Sequence, residues 1–424
     1  MQRPSRWVGP TAAVLMLTCA LSARADDSDA LSLQSAPEPE QKAPERPLRV
    51  FVELAAGRIE QRFGLGPADL RRASLDFTAT AKPAAGWRLV LSDRLDDMHP
   101  VDPGARATLN SLREAYASWQ DDAGQSVVEF GRINVRNGPA YGYNPTDFLR
   151  DGAVRAATTA DPLSLRENRM GTVMLRAQRV WGGGSASLAL MPKMATLPSN
   201  DSMGVDLGST NGRAKLLATV SLQPTERVSG QLLAFSQRGV GTQWGANMTA
   251  LLSDATVGFA EWTTGRDQSA LSPALGGTSR TASRNRASAG ITYTAPWKLS
   301  VTAEVEYNGF AIDQRRWSQL SASGGIEAVQ SYLVDVQRRQ DNASRKAYLL
   351  YVTQHGGPWK NIDITGLLRV NGDDHSRFGW VEVRHHWASV DLALQWQFSS
   401  GRTFSEFGAM PSRQTLQLMM AYYY

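Results

Sequence analysis

Arg413 to Tyr424 reads RQTLQLMMAYYY, with Leu416, Leu418, Met420, Tyr422 and Tyr424 on every second position and the chain ending on an aromatic residue. In an extended strand successive side chains point to opposite faces, so these five residues share one face. An apolar face opposed by Thr415 and Gln417 is what a strand needs when lipid wets one side only. The same division recurs upstream. Ser74 to Ala81 (SLDFTATA) sets Leu75, Phe77, Ala79 and Ala81 against Ser74, Asp76, Thr78 and Thr80.

Working outward from these stretches, alternation predicts strands over 87–93, 112–120, 214–222, 228–234, 244–252, 287–293, 301–307, 347–351, 362–370 and 390–398. Fainter alternation marks 50–62, 127–135, 173–181, 185–191, 257–265 and 378–387. With the two stretches quoted above the count is eighteen, sixteen being the neighbouring even number. The connections provide a second signal. Lys82–Gly86, Asp121–Gly124, Gly182–Gly184, Pro224–Glu226, Ser253–Ala255, Ala295–Trp297, Gly356–Lys360 and the neighbourhood of Ala388 are short and rich in Gly, Pro, Asp or Ser, as hairpins require. Between them fall longer links: 96–108, 136–169, 193–212, 266–284, 309–343 and 399–412. Short turns on the periplasmic side alternating with long external loops are the habit of outer-membrane barrels. The expected fold class is therefore all-β, a closed transmembrane antiparallel barrel over 48–424. Trp87, Trp181, Trp297, Trp359 and Trp387 all fall beside the short turns, as residues at a membrane interface should. A soluble propeller or tandem sandwiches is the alternative. The polar residues on one face of nearly every strand argue against it, because a dry core would leave them unpaired whereas a wide, water-filled lumen would not.

Targeting and composition agree. Arg3 and Arg6, an apolar run from Ala12 to Leu21, and Ala23-Arg24-Ala25 form a secretory signal over 1–25. Residues 26–47 carry Pro37, Pro39, Pro44 and Pro47 among Glu and Gln, too few apolar groups to offset ordering, and read as a flexible periplasmic leader. Cys19 is the only cysteine and lies inside the signal, so no disulfide is expected in the mature chain. Of 45 Lys and Arg, three leave with the signal, and the remaining 42 nearly balance 40 Asp and Glu. A near-neutral chain gives no reason to expect nucleic acid as a partner. No later stretch offers the ~20 consecutive apolar residues of a membrane helix, so a membrane location requires the barrel.

Gly131 to Gly171 (GRINVRNGPAYGYNPTDFLRDGAVRAATTADPLSLRENRMG) is the densest stretch chemically. Loops of about thirty-five residues without strand character are usually functional. A loop folded into the pore and carrying both signs of charge would narrow it and set up a transverse field. The candidate constriction residues are Arg132, Arg136, Asp147, Arg150, Asp151, Arg155, Arg166, Glu167 and Arg169, with Arg132 and Arg136 facing Asp147 and Asp151 across the opening. A solvated external loop is the alternative reading.

Gly131-Arg132, Tyr143-Asn144-Pro145-Thr146-Asp147 and Leu165 to Gly171, together with Ser405-Glu406-Phe407-Gly408 before an aromatic-ending strand, resemble the porin-like outer-membrane barrels of Gram-negative bacteria. That resemblance implies passage of a solute, or of a secreted polymer or lipid. The expected function is a channel for small solutes; the alternatives are an export barrel for a polysaccharide or hydrophobic product, and an outer-membrane enzyme. The expected partners are outer-membrane lipid, the barrel assembly machinery acting on the last strand, and periplasmic or inner-membrane transport components. No cofactor, metal or catalytic residue is expected. Catalysis would need a histidine near a nucleophile or carboxylate, and the consecutive His385 and His386 point to opposite faces of one strand. His375 beside Asp373 and Asp374 reads as a solvated turn.

Overall fold

The computed structural model describes residues 47–100, 106–269, 271, 281–356 and 359–424. The signal segment, and the leader up to residue 46, lie outside them. Eighteen strands follow one another round a single sheet: β1 Leu48–Gln61, β2 Ala68–Ala81, β3 Trp87–His99, β4 Thr108–Gln120, β5 Ser126–Ile133, β6 Thr172–Trp181, β7 Gly184–Met191, β8 Lys215–Thr225, β9 Val228–Gln237, β10 Gly241–Ser253, β11 Thr256–Gln268, β12 Thr281–Thr294, β13 Leu299–Asn308, β14 Lys346–Gln354, β15 Ile362–Asn371, β16 Arg377–His386, β17 Val390–Ser400 and β18 Ser412–Tyr423. Each pairs antiparallel with its successor, and β18 returns to β1 in a ladder running from Phe51↔Tyr423 to Gln61↔Ser412. The sheet has no free edge. That closure is what allows strands to cross a membrane, since every ladder N–H and C=O finds a partner.

The two faces divide as the alternation predicts. On β18 Leu416, Leu418, Met420 and Tyr422 are exposed, while Thr415, Gln417, Met419 and Ala421 are buried. Trp87, Trp181, Trp297, Trp359 and Trp387 are all exposed beside the short turns. In the first of those turns Gly86 has φ 74°, and a Cβ there would fall 2.5 Å from the Gln120 carbonyl oxygen, so both conformation and space call for glycine.

Four expectations need correction. The external links are not uniformly long: β9 and β10 are joined by Arg238–Val240 alone, and β15 and β16 by Gly372–Ser376. Several strands run further than the alternation does. The polar outer ends of β2 and β3 still pair, Arg71 with His99 and Ala73 with Asp97, because ladder hydrogen bonds do not depend on side-chain polarity. β5 does the reverse and stops at Ile133. Asn134 donates its N–H to the Glu114 carboxylate and Val135 is buried in an interior apolar cluster, so the chain turns inward two residues early. Finally, part of the lumen is packed rather than open to water. Its polar inward residues, Asp76, Asp96 and Thr146's partner Glu261 among them, are buried against one another and against loops.

Among the described residues three loop segments form helices with given bounds: α1 Pro162–Glu167, α2 Leu207–Asn211 and α3 Gln314–Arg338. α3 is broken at Gly325, where φ is 63°. Asp313 caps its first turn by accepting from the Arg316 N–H at 2.9 Å. Beyond the break, Val329, Tyr332, Leu333 and Val336 recur at helical spacing and pack with Leu320 from before the break, with Ile312 and Ala343 from the flanking loop, and with Ala409 from the loop before β18.

Candidate functional site

Between β5 and β6 the chain leaves the wall and crosses the inside of the barrel. Its contacts establish the route. Two carboxylates on distant strands hold the first half of the loop by its backbone. Glu261 of β11 accepts from the Ala140 N–H at 2.8 Å, the Thr146 N–H at 3.1 Å and the Thr146 hydroxyl at 2.7 Å, with the Asn144 amide at 3.2 Å. Glu304 of β13 accepts from the N–H groups of Tyr141, Gly142 and Tyr143 at 2.8 to 3.1 Å and from the Ser288 hydroxyl at 2.8 Å. A carboxylate that takes several N–H groups satisfies donors which an irregular buried segment would otherwise leave orphaned. Gly138 and Gly142 permit the approach, because a Cβ at either would meet the Glu261 or Glu306 carboxylate at 2.3 to 2.5 Å.

Apolar contacts complete the seat. Phe148 stacks on Phe235 of β9 with centroids 4.9 Å apart and planes 5° from parallel. Tyr141 lies against Phe259 of β11 and Tyr351 of β14, at 6.0 and 5.4 Å. The second half of the loop returns toward β2 to β4, where Arg72 donates to the Thr158 carbonyl at 2.6 Å and Arg113 to the Asn168 side chain at 2.7 Å.

Seven of the nine charged residues named from the sequence fall into three groups. Asp147 and Arg169 form a bidentate pair at 2.8 and 2.9 Å, both almost fully buried, and Arg166 approaches Asp147 at 3.4 Å while donating to the carbonyls of Asn137 and Gly138. Burial pushes the Asp147 carboxyl up, but Arg169 and Arg166 outweigh it and hold the group below the usual carboxylate range. Arg150 and Asp151 belong to a second group that joins this loop to the one following β13. Arg150 donates to the carbonyls of Asn144 and Asp147 and pairs with Asp341 at 3.3 Å; Asp151 pairs with Arg338 at 2.8 Å. Asp341 also accepts from the Tyr143 hydroxyl at 2.6 Å and from Arg286 at 3.2 Å. Burial opposes its charge, yet Arg286 and Arg150 bring its pKa down to about 2.

Arg132 and Arg155 form the third group, spent on backbone carbonyls of the loop between β7 and β8. Arg132 reaches Val205, Asp206 and Gly171; Arg155 reaches Asp201, Gly204 and Asn110. Arg136 and Glu167 remain, 3.6 Å apart, with side chains 28% and 66% exposed. Arg132 and Arg136 do not meet Asp147 or Asp151, so the facing walls expected from the sequence are not formed by these residues.

A charged lattice on β1 to β4 was not singled out. Glu53 accepts from Arg72 at 2.6 Å and Arg94 at 2.9 Å; Arg94 also pairs with Asp96 at 2.9 Å, and Arg113 holds both oxygens of Asp76 at 2.6 and 2.7 Å. The sequence signal is the even spacing of these charges, Arg72 to Asp76 four apart and Arg94 to Asp96 two apart, on the face opposite the apolar one. Of the histidines, His386 turns inward between Asp391 and Asp363 at 2.8 and 3.2 Å, whereas His385 lies tilted against Trp387 with ring centroids 4.0 Å apart. Asp373 and Asp374 accept the backbone N–H groups of Arg345 and Glu406, which gives both a structural use in the turn.

This architecture defines a class, the transmembrane antiparallel β-barrel of eighteen strands with a loop seated inside it. No protein-family model and no curated protein sequence matches the chain. Solved structures do. The chain superposes on OccAB4 of Acinetobacter baumannii with a TM-score of 0.54 at 8% identity, covering 89% of this chain and 97% of that one. For OccK5 (OpdH) of Pseudomonas aeruginosa the values are 0.53, 9%, 89% and 97%, and for OpdQ of the same organism 0.52, 9%, 89% and 97%. At such identities the likeness shows the fold.

Proposed function

We propose that the protein is an outer-membrane channel for small solutes, in which the segment 136–169 forms the constriction. The observation that carries this reading is the double anchoring of that segment, on Glu261 and Glu304 at one side of the barrel and on Arg72 and Arg113 at the other. A cap lying over the mouth needs no partners on inward strand faces so far apart. Because the segment is held by buried hydrogen bonds and ion pairs rather than by solvent-exposed contacts, it narrows the barrel permanently and leaves selectivity to the charges that still meet water. Those are Arg136 and Glu167, with Asp151, whose half-exposed side chain is tied to Arg338. The near-neutral mature charge and the secretory signal agree with residence in the outer membrane.

Export of a polymer would call for a wider path than this packed interior supports, and no observation favours it. Conductance in planar bilayers tests the proposal. The native chain should form small, steady channels, and removing residues 142–160 should enlarge them in barrels that still assemble. Unchanged conductance after that deletion would move the constriction elsewhere, first to the loop carrying α3.

A further inference from the structure

β5, like β7, has only eight residues, and the gap it leaves beside the outer end of β4 is filled from elsewhere. Pairing between β4 and β5 ends at Ala115↔Arg132, yet β4 continues outward to Thr108. Along that unpaired stretch the Asn110 N–H donates to the Ser202 carbonyl at 2.7 Å, so residues 201–205 of the β7–β8 loop lie beside β4 where β5 would have been. Their exposure alternates like a strand's: Asp201, Met203 and Val205 are exposed, Ser202 and Gly204 half-buried.

Arg132 fixes the side on which this segment lies. It pairs in register with Ala115, which pairs with Leu91, a residue of the exposed apolar face. Arg132 should therefore project outward from the wall, and it does so into cover, 2% exposed beneath Val205, Asp206 and Thr210. The loop thus lies over the outer surface of the barrel. It carries Met194, Leu197, Met203 and Val205, with Leu197 76% and Met203 60% exposed. Phe130, Leu175, Leu190 and Leu216 continue the same apolar surface on the strands below.

The backbone is the second observation. A loop in water has no need of dedicated donors, whereas one against hydrocarbon must satisfy its polar groups internally. Here the carbonyls of Asp201, Ser202, Gly204, Val205 and Asp206 all have donors, supplied by Arg155, the Asn110 N–H and Arg132. The N–H groups of Met203 and Gly204 bond back to Asp201. Two arginines are committed to carbonyls of this one short stretch.

We propose that residues 194–205 form a lipid-facing strap, closing the wall above β5 and placing Met194, Leu197, Met203 and Val205 among the acyl chains of the outer leaflet. The inference rests on the reading of the chain as a membrane channel. It predicts an apolar band that rises higher over β4 to β8 than over the rest of the barrel.

The test replaces Cys19, the only cysteine, by serine and introduces L197C, M203C or L418C into the full chain, each labelled with an environment-sensitive fluorophore. Barrels are reconstituted in phosphatidylcholine vesicles containing lipids nitroxide-labelled on the acyl chain. The Leu418 position reports the lipid-facing wall itself. Blue-shifted emission at positions 197 and 203, quenched at least half as strongly as at 418, supports the strap. Water-like, unquenched emission at 197 and 203 with quenching at 418 overturns it and leaves the channel reading intact. Loss of quenching at 418 as well would sink the channel reading. Efficient disulfide formation between two copies of unlabelled M203C would assign this surface to a second copy of the chain instead of lipid. Leu197 is so exposed that its replacement cannot disturb folding, and a heat-modifiable gel shift confirms assembly of each variant.

Discussion

Glu261 and Thr146 are joined twice: one oxygen of the Glu261 carboxylate accepts both the Thr146 N–H, at 3.1 Å, and its hydroxyl, at 2.7 Å. The two residues are 115 positions apart in sequence and meet across the inside of the barrel. Glu261→Ala removes four acceptor contacts at one stroke and leaves the N–H groups of Ala140 and Thr146 buried without partners, at roughly 1 to 3 kcal/mol each. The barrel itself should still assemble, since the strand ladder is untouched. Hydrogen exchange at residues 140–146 should accelerate by orders of magnitude, and single-channel recordings should become noisy. Protection equal to that of the native chain would mean that Glu304 and the Phe148–Phe235 stack suffice alone.

Asp147→Asn should do more damage than its small change in volume suggests. Arg169, 1% exposed, would lose its bidentate partner and remain as an uncompensated buried cation, a situation that costs about 3 to 5 kcal/mol. Proteolytic cleavage within 134–171 should appear in the variant, and conductance should rise. The double variant Asp147→Leu, Arg169→Met should recover most of the protection, because removing both charges removes the penalty.

Acid should loosen the interior loops by the same chemistry. Asp147 and Asp341 both have folded pKa values below the ordinary carboxylate value, Asp341 at about 2. Stability linked to such groups is fully present above the unfolded pKa and is lost as pH falls through the folded one. Conductance should therefore hold steady from neutrality down to about pH 4 and rise, reversibly, as pH drops further toward 2. Asp341→Asn should already resemble the acid form at pH 7.

Glu406 works in the opposite direction. It lies in the loop before β18, donating its N–H to Asp374 at 2.8 Å and taking the Asn371 amide on its carboxylate at 2.7 Å. Burial, opposed by Arg369 and reinforced by Asp374, pushes its pKa up to about 7. A group raised in the folded state contributes stability that is complete below the unfolded pKa and disappears as pH rises through the folded value. The loop should be held more tightly at pH 5 than at pH 8, by about 2 kcal/mol. Hydrogen exchange at Phe407 and Gly408, corrected for intrinsic pH dependence, should reveal the change, and Glu406→Gln should abolish it.

The lipid-facing register can be tested on β18. Leu418 is exposed and Gln417 buried, so Leu418→Arg places a charge in the apolar band, at about 2 to 4 kcal/mol near mid-bilayer. Gln417→Arg instead enters a polar interior beside Gln395. Assembly measured by heat-modifiable migration should fall further for the first variant. Equal yields would reverse the assignment of faces.

How much of this was legible beforehand follows from the physics of each part. Alternation is a local property, so Leu416 to Tyr422 declare their face unaided, and short Gly- and Pro-rich turns fix the even strand number. The seat of the interior loop is non-local. Nothing near Thr146 indicates Glu261, and the pairing of Arg150 with Asp341 depends on a residue 191 positions downstream. Charge alone could not tell a buried pair from one that meets water, which is why Asp147 and Arg150 looked like pore-lining residues. α3 was missed because its apolar spacing resumes only after the Gly324-Gly325 break. β5 ended early because Val135 reads as one more strand residue until the inward turn is known.

That distinction between buried and accessible charge changes which residues should govern selectivity. Arg150 is held by Asp341 and by carbonyls, and Arg155 by carbonyls alone, so neutralising either should disturb loop packing before it disturbs the field in the pore. Arg136 and Glu167 are different. They are loosely paired at 3.6 Å with partly solvated side chains, so each projects charge into water while contributing little to stability, well under 1 kcal/mol. Glu167→Gln should leave Arg136 unopposed and shift the reversal potential in a salt gradient toward anions. Arg136→Gln should shift it toward cations, and the double variant should fall between. All three should keep native hydrogen-exchange protection at 140–146. Because the charges are screened over about 8 Å at physiological ionic strength, the shifts should shrink as salt rises from 0.1 to 1 M. Selectivity unmoved by any of the three at low salt would relocate the controlling field to the half-exposed pair Asp151 and Arg338.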